Sequence, residues 1–409
     1  MLVRSLVVLS LALVLPLAVA GTAGGAKGSA YQTGFDRWRA ADGDFAGWTL
    51  SGVALGAGGA LTLAPATAAP GTDPFAEGGY NGRNYYNGGS FVVGEAVSPN
   101  VETDFDFREA IASWNADTPV GTWIEVRIQA RIAGAWHPKE YVLGIWASDS
   151  STIERHSVNL QGDGVAFVAV DTLVLSKKTA SADAYRLKFR LFQATASSAI
   201  PSISNASLAY STSPERPSTL APGSPANWKN LLAVPECSQE VYPDGGEVWC
   251  SPTSTQMALG YWGEPGSCAD RELPAVDGVF DWIYDGHGNW PFNTAYAATK
   301  GLEGYVARFT SMAQLETWVK AGVPVVISYA WKKSELDGAS IGSSNGHLAV
   351  VVGFDAAGNP VVNDPAEPAG NDEVQRTYDR AQLETLWLEH SGGTVYLMYP
   401  AGNAEGDLP

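Results

Sequence analysis

The chain has 409 residues, and its 43 acidic residues outnumber 25 basic ones, which gives a formal net charge of −18 at pH 7. Binding to phosphate groups requires clustered Lys and Arg, so this charge argues against nucleic acid or an anionic membrane surface as a partner. The length is typical of two or three domains, and 14 tryptophans provide apolar area for a sizeable core.

The N-terminal segment has the three parts of a secretory signal peptide. Arg4 provides a positive start, residues 6–17 form an apolar stretch, and the sequence AVA at 18–20 is a small-residue cleavage site. Because the apolar stretch is short for a membrane span, we predict cleavage after Ala20. The mature protein is then secreted, extracellular or at the cell surface, with no membrane span, and residues 21–30 form a flexible leader.

Residues 31–212 show an apolar period of two. The runs TWIEVRIQARIAG at 122–134 and AYRLKFRLFQA at 184–194 alternate apolar and polar residues, and strand-like runs follow at 140–147 and 165–175. Strands that bury one face and expose the other have this pattern, which is typical of antiparallel sheets. We therefore predict an all-β sandwich as an N-terminal accessory domain.

One loop of this domain has an unusual composition. The segment GGYNGRNYYNGGSF at 78–91 is rich in Tyr, Asn and Gly, which suits stacking of aromatic rings on sugars. A glycine-rich hairpin loop with ordinary exposed tyrosines explains the composition equally well. Contact of the N-terminal domain with carbohydrate is therefore one of two hypotheses.

A segment rich in Pro, Ser and Gly, at 213–228, separates the two halves. Proline stiffens such a segment and its small residues are easily solvated, so we predict an inter-domain linker. Few contacts are expected to cross a boundary of this kind. The C-terminal domain at 229–400, which a tail at 401–409 follows, is then expected to fold without the N-terminal domain.

The C-terminal half has mixed periodicity, with the strands clustered late. Predicted helices lie at 252–262, 312–322 and 378–390, and predicted strands lie at 323–330, 347–354, 359–364 and 394–399. This order is typical of an α+β domain.

The chain has only three cysteines, all in this half. In VWCSPTSTQ, Ser251 can cap a helix and Pro252 suits its first turn. Cys250 then lies at a helix N-terminus, where the helix dipole favours the reactive thiolate, although a buried structural cysteine is the alternative. If Cys250 stays free, Cys237 and Cys268 are left either to form a disulfide or to remain two buried thiols.

A thiolate nucleophile needs a base, and the chain has five histidines. His137 and His156 lie among strand-like segments of the N-terminal half, where we expect surface positions. His390 ends a predicted helix, and His287 lies in a polar loop that either lines a cleft or is exposed. His347 opens an apolar strand and is the best candidate for the base.

The predicted strands at 347–354 and 359–364 form a hairpin closed by the turn residues DAAG. The register that closes this turn sets Asp364 opposite His347, with Cβ atoms about 5 Å apart. An aspartate beside an imidazole fixes its tautomer and stabilises its protonated form. The alternative is a solvated aspartate at the end of a strand.

An acyl-transfer site also needs a donor for the developing oxyanion. Gln239, in VPECSQE, lies a short loop before Cys250, and the residues YPDGG between them allow the chain to fold back. The Gln239 amide can then reach the carbonyl under attack. An ordinary exposed glutamine is the alternative.

The order Gln, Cys, His, Asp, in the motifs VPECSQ, WCSPTSTQMALGYWG, NGHLAVVVGF and VVNDP, resembles the papain-like cysteine peptidases of family thirty-nine. The resemblance is to the exported branch of this bacteriocin-processing type, which lacks a transporter. It implies a papain-like fold with Cys250 as nucleophile, His347 as base, Asp364 as the residue that orients the base and Gln239 in the oxyanion hole.

The resemblance has limits for the substrate. Ser251 stands where many relatives have Gly, which narrows the cleft beside the nucleophile. Nothing in the chain matches the transporter domains, so cleavage of double-glycine leaders does not carry over. The segment ASWNADTPVGTWIEVRI at 112–128 resembles the β-rich accessory region of similar exported proteins, whose role does not follow from the resemblance.

Together these features predict an exported cysteine hydrolase that cleaves amide bonds of a peptide or protein, with cell-wall peptide as one candidate substrate. It requires a reduced thiol and no cofactor, and the sequence lacks the ligand spacing of zinc or calcium loops. Two alternatives stay open. The same residues can transfer the acyl group to an amine or act as an amidase on cell-wall peptides, or the peptidase-like domain is silent in a surface-binding protein.

Overall fold

The computed structural model describes residues 31–73, 88–176, 180–368 and 370–403. The predicted signal peptide, the leader and most of the Tyr- and Asn-rich segment at 78–91 lie outside the described residues. Within the described ranges, no helix is long and apolar enough to cross a membrane.

The first N-terminal sheet is antiparallel and, within the described residues, has seven strands. They are β1 (Thr33–Arg39), β3 (Val53–Leu55), β4 (Leu61–Leu63), β8 (Glu109–Asp117), β12 (Ala166–Ala169), β13 (Thr172–Leu175) and β15 (Ser202–Ser211). Their order is β12-β13-β8-β15-β4-β3, and β1 pairs with β15. The predicted strand-like run at 165–175 is thus a hairpin of two short strands.

The second N-terminal sheet is also antiparallel. Its described strands are β2 (Thr49–Ser51), β5 (Ala69–Thr72), β6 (Ser90–Val97), β7 (Val101–Phe107), β9 (Thr122–Ile132), β10 (Ala135–Trp136), β11 (Tyr141–Trp146) and β14 (Ala182–Ala194). The central order is β10-β9-β14-β6-β2, with β11 on β9, β5 on β6 and β7 on β14. The two sheets contribute to one hydrophobic core, so the N-terminal domain is strand-rich as predicted.

The side chains of the long strands β9 and β14 show the alternating burial that their sequences predicted. They pair with Ile124 opposite Leu191, and both side chains are fully buried in the core. Glu125 departs from the alternation because it is buried as well. Arg127 and Arg190 each form a salt bridge with its carboxylate, which offsets the cost of burying the charge.

The C-terminal domain is α+β, as predicted. Its elements are β16 (Asn230–Leu231), α1 (Cys250–Tyr261), α2 (Cys268–Val279), α3 (Trp290–Thr299), β17 (Leu302–Arg308), α4 (Met312–Lys320), β18 (Val325–Trp331), β19 (Ser344–Phe354), β20 (Pro360–Asn363), β21 (Gln375–Thr377), α5 (Arg380–Ser391) and β22 (Thr394–Pro400). The described strands form one antiparallel sheet of order β17-β22-β18-β19-β20-β21, and β16 pairs with β19.

Two helices of this domain were missed by the sequence patterns, although each has a start signal. Helix α2 begins with a capping box, in which Ser267 and Asp270 exchange side-chain and backbone hydrogen bonds. Helix α3 begins after Asn289, whose side chain accepts the Phe292 N–H at 3.2 Å, and Pro291 lies in its first turn.

The expectation that few contacts cross between the domains is wrong, because β8 of the first sheet packs beside β17 of the C-terminal domain. The Asn115 amide donates to the Gly304 carbonyl at 2.7 Å, and the Ser113 hydroxyl accepts the Val306 N–H at 2.9 Å. These two side chains of the N-terminal domain form hydrogen bonds with backbone groups of β17. Polar groups of each domain therefore find hydrogen-bond partners in the other domain.

Aromatic side chains fill the same interface. Phe292 of α3 is fully buried, and its ring lies 6.1 Å from Trp114 of β8 and 5.3 Å from Trp146 of β11, measured between ring centroids. The linker is docked too, since the Trp228 indole N–H and the Ser224 N–H donate to the Glu316 carboxylate. One hydrophobic core therefore spans both domains.

This interface predicts that the C-terminal domain is not stable alone. A fragment of residues 229–403 exposes Phe292 and leaves backbone groups of β17 unpaired, so we expect lower thermal stability than in the whole protein and binding of a hydrophobic dye. Cooperative unfolding of the fragment at the temperature of the whole protein would contradict this.

A matched control separates the interface from the covalent link. A protease site inserted between Ser218 and Thr219, both exposed, allows the linker to be cut after folding. We expect the two halves to stay together in size-exclusion chromatography.

Candidate active site

Cys250 is a partly exposed free thiol and the first residue of helix α1. The first N–H groups of a helix have no acceptor within it, so the chain near Cys250 presents unpaired donors and the positive end of the helix dipole. Pro252 lies in the first turn, as predicted. The expectation that Ser251 caps the helix is wrong, because Trp249 holds the cap position and the Ser251 hydroxyl hydrogen-bonds with that of Tyr396 at 2.9 Å.

Helix α1 packs on the strand that carries His347. The Ser254 hydroxyl of α1 donates to the carbonyl of Leu348 in β19 at 3.2 Å, and both groups are buried. The nucleophile candidate and the base candidate are therefore held on adjoining, well-packed elements.

His347 and Asp364 form a buried pair. The imidazole Nε2 and the carboxylate Oδ1 are 2.7 Å apart, and the two side chains are 3% and 0% exposed. The Tyr378 hydroxyl donates to the other carboxylate oxygen at 2.6 Å, and the Tyr329 hydroxyl does so at 3.3 Å. The two tyrosines belong to one hydrophobic core cluster, and nothing in their sequence context marks them as partners of Asp364.

The charge of the imidazole follows from these neighbours. Burial disfavours the imidazolium, but the Asp364 carboxylate and its hydrogen bond, together with Cys250, outweigh burial and raise the pKa of His347 to about 10. Burial alone would raise the pKa of the Asp364 carboxyl. The charge of His347 and the hydrogen bonds to the carboxylate outweigh burial and keep this pKa below its usual range. The pair is therefore charged at neutral pH.

The predicted hairpin register is wrong by two residues. Strands β19 and β20 pair with Val350 opposite Asn363, and the ladder shifts again before Gly353. The turn is longer than expected because β20 begins only at Pro360. Because side chains alternate with a period of two, an offset of two residues leaves His347 and Asp364 on the same face of the sheet. Asp364 lies one residue beyond the end of β20, and its side chain meets His347 diagonally.

Gln239 begins a short 3-10 turn that Ser238 caps. Its N–H donates to the carbonyl of Pro365, beside Asp364, at 2.9 Å. The side chain is 2% exposed, and among the described residues its Oε1 has no hydrogen-bond partner. The neighbouring Cys237 forms a disulfide with Cys268, so the alternative of two buried thiols is wrong.

One cavity of about 960 Å³ joins these groups, and Cys250, His347 and Gln239 all line it. The hairpin of β12 and β13 from the N-terminal domain lines it as well. In the described part of the chain, no three or more His, Cys, Asp or Glu side chains are grouped as a metal site requires. The cavity thus lies between the two domains, with the thiol at its surface.

The remaining histidines differ from one another. His287 lines this cavity, and burial lowers its pKa to about 4 despite the nearby Asp285 carboxylate. Its Nδ1 is buried and has no partner among the described residues. The expectation of a surface position for His156 is wrong, since this residue is fully buried and pairs with Ile145 in a backbone bridge.

Comparison with known proteins matches each half separately. Residues 34–211 match the family model described as peptidase C39 N-terminal domain, and residues 231–395 match that of the peptidase C39 like family. A crystal structure of a candidate C39-like peptidase from Bacillus anthracis is also similar, at 21% identity over 41% of this chain and 96% of that chain, with a TM-score of 0.29. No curated protein matches the chain.

The buried pair predicts a distinctive titration. We expect the ring-proton NMR signals of His347 to stay in the imidazolium position from about pH 6 to about pH 9, since its pKa is near 10. In Asp364→Asn the carboxylate charge is lost while burial remains, so the imidazole loses its proton below neutral pH.

Asp379→Asn is the matched control, because this residue caps helix α5 with a side-chain oxygen that Asn also provides. It is expected to leave the titration unchanged. Because the pKa of His347 is higher in the folded protein than in the unfolded chain, protonation of His347 also stabilises the fold. This contribution to the free energy of unfolding is fully present below about pH 6.5 and is lost as the pH rises towards 10. A His347 that titrates near pH 6.5 in the unmodified protein would contradict the account.

Proposed function

We propose, from the premise that residues 231–395 form a C39-like peptidase domain and residues 34–211 a peptidase C39 N-terminal domain, that the protein is an exported cysteine peptidase with a papain-like site. The observation that carries the proposal is the cavity in which the free Cys250 thiol, at a helix N-terminus, adjoins the buried His347–Asp364 pair.

In the proposed reaction, the Cys250 thiolate attacks the carbonyl carbon of a peptide bond, and the oxygen becomes an oxyanion. The Gln239 amide and a backbone N–H at the start of α1 donate hydrogen bonds to it. The His347 imidazolium then gives its proton to the leaving amine, and an acyl-enzyme thioester remains. His347 takes a proton from water, which attacks the thioester, releases the acid and restores the thiolate.

Two features support the role of Gln239. Gln239 lines the cavity together with Cys250, and its side-chain amide carries the N–H donors that an oxyanion requires. The disulfide between Cys237 and Cys268 and the backbone hydrogen bond to Pro365 hold this segment at both sides. A side chain held in place beside the thiol loses little conformational freedom when it binds the oxyanion.

The proposal of export rests on the sequence of residues 1–20 and on the disulfide. Disulfides persist in oxidising compartments and are rare in reducing ones, so the Cys237–Cys268 bond agrees with secretion. Cleavage at Ala20, the extracellular location and a peptide substrate are parts of this proposal.

The nucleophile has a direct test. We expect Cys250→Ala to lower hydrolysis of a mixed peptide library by at least several hundredfold, because removing one member of such a unit removes most of its effect. Circular dichroism should show an unchanged fold. Turnover by purified Cys250→Ala close to that of the unmodified protein would overturn the mechanism.

The oxyanion donor has a more selective test. Alkylation of a thiolate by iodoacetamide forms no oxyanion, whereas peptide hydrolysis does. Gln239→Ala is therefore expected to lower kcat about 100-fold or more while iodoacetamide modifies Cys250 at the unchanged rate. Gln32→Ala, at an exposed position, is the control, and an equal loss of both reactions in Gln239→Ala would mean that Gln239 only supports the fold.

A further inference from the structure

The cavity at Cys250 has a wall that belongs to the other domain. Ala169, Val170, Asp171 and Thr172, at the tip of the hairpin formed by β12 and β13, line it together with Cys250. The C39-like domain therefore does not enclose the cavity alone. The hairpin tip and the thiol therefore border the same space.

The hairpin tip is fixed to the C-terminal domain by a buried carboxylate. Asp171 is 4% exposed, and its carboxylate accepts the N–H of Trp290, the first residue of helix α3, at 2.7 Å. It also accepts the Thr172 hydroxyl at 2.8 Å. A carboxylate at a helix N-terminus gains from the helix dipole as well as from the hydrogen bond. This contact fixes the hairpin tip to the start of helix α3.

The tip carries a side chain at a position that suits glycine. The Asp171 N–H donates to the Ala169 carbonyl at 2.7 Å, which closes a three-residue turn around Val170. Val170 has φ +59°, a region that glycine enters freely and a β-branched residue rarely enters. Strained residues of this kind gather at functional sites, so the valine side chain is a candidate for a role in the cavity.

Val170 shares the cavity with aromatic side chains of the C-terminal domain. Phe280 and Tyr284, from the C-terminal domain, line the same cavity, and Tyr284 is 46% exposed. The phenol of Tyr284 lies within electrostatic reach of both Asp171 and Cys250. An apolar substrate side chain bound in this cavity can therefore contact apolar groups from both domains.

We propose that the hairpin of β12 and β13 is a substrate-recognition element, in which Val170 contacts the substrate and selects an apolar side chain next to the scissile bond. This inference rests on the proposed peptidase function and names its substrate class, peptides with an apolar residue at the cleavage site. The N-terminal domain is then part of the substrate site.

Two glycine variants test the recognition role. Val170→Gly removes the apolar contact at a backbone position that glycine fits, so the fold is expected to be retained. Leu160→Gly is the matched control, because Leu160 is also apolar and non-glycine at φ +60°, is 77% exposed and lies outside the residues that line the cavity.

The probes are acetyl-dipeptide chloromethyl ketones with Gly, Ala, Leu or Phe at either residue, and iodoacetamide, which has no peptide part. Intact mass spectrometry gives the rate of Cys250 alkylation. We expect the unmodified protein to prefer Leu or Phe over Gly, and Val170→Gly to lower this preference at least about threefold. Leu160→Gly is expected to keep the preference, and iodoacetamide rates are expected to agree among the three proteins.

The two proposals fail in different ways. No preference in the unmodified protein, or an undiminished preference in Val170→Gly, overturns the recognition role while leaving the nucleophile intact. Failure of iodoacetamide to modify Cys250 overturns the proposed function instead. If Val170→Gly does not fold, Val170→Asn, which also tolerates positive φ, is expected to lower the preference by replacing the apolar contact with a polar one.

Discussion

The buried carboxylate of Asp364 is the group around which the site is built. An ionised carboxylate with no exposed surface is costly unless it is paired, and here it accepts hydrogen bonds from His347, Tyr378, Tyr329 and the N–H of Ala366. These donors come from β18, β19 and the segments that flank β21. The hydrogen bonds to the Asp364 carboxylate thus hold the end of the sheet together. The negative charge of this carboxylate also keeps the His347 imidazole protonated beside the Cys250 thiol.

The second constraint is the contact between the domains. Because Asn115 and Ser113 form hydrogen bonds with backbone groups of β17, and because Phe292 packs on Trp114, the strand-rich domain and the α+β domain form one packed unit rather than two separate modules. The same interface carries the hairpin of β12 and β13 to the cavity at Cys250. The same domain interface therefore stabilises the fold and positions one wall of the cavity.

Local patterns in the sequence predicted those features that depend on nearby residues. Apolar–polar alternation predicted β9 and β14, and helical periodicity predicted α1, α4 and α5. The sequence motifs around Cys250, His347, Asp364 and Gln239 identified four residues that the fold brings together. The hairpin register was missed by two residues because the length of the turn, not the strand pattern, determines the pairing. The domain interface was missed because Phe292 and Trp114 have the appearance of ordinary core residues, and linker composition carries no information about the surfaces it joins.

The most direct test of the account is a crystal structure of the protein after reaction with an acetyl-dipeptide aldehyde that carries Leu at its C-terminal position. The proposed mechanism predicts a covalent hemithioacetal on Cys250, with its oxygen within hydrogen-bond distance of the Gln239 amide and the leucine side chain against Val170. An aldehyde bound without a bond to Cys250, or an adduct whose oxygen points away from Gln239, would contradict it.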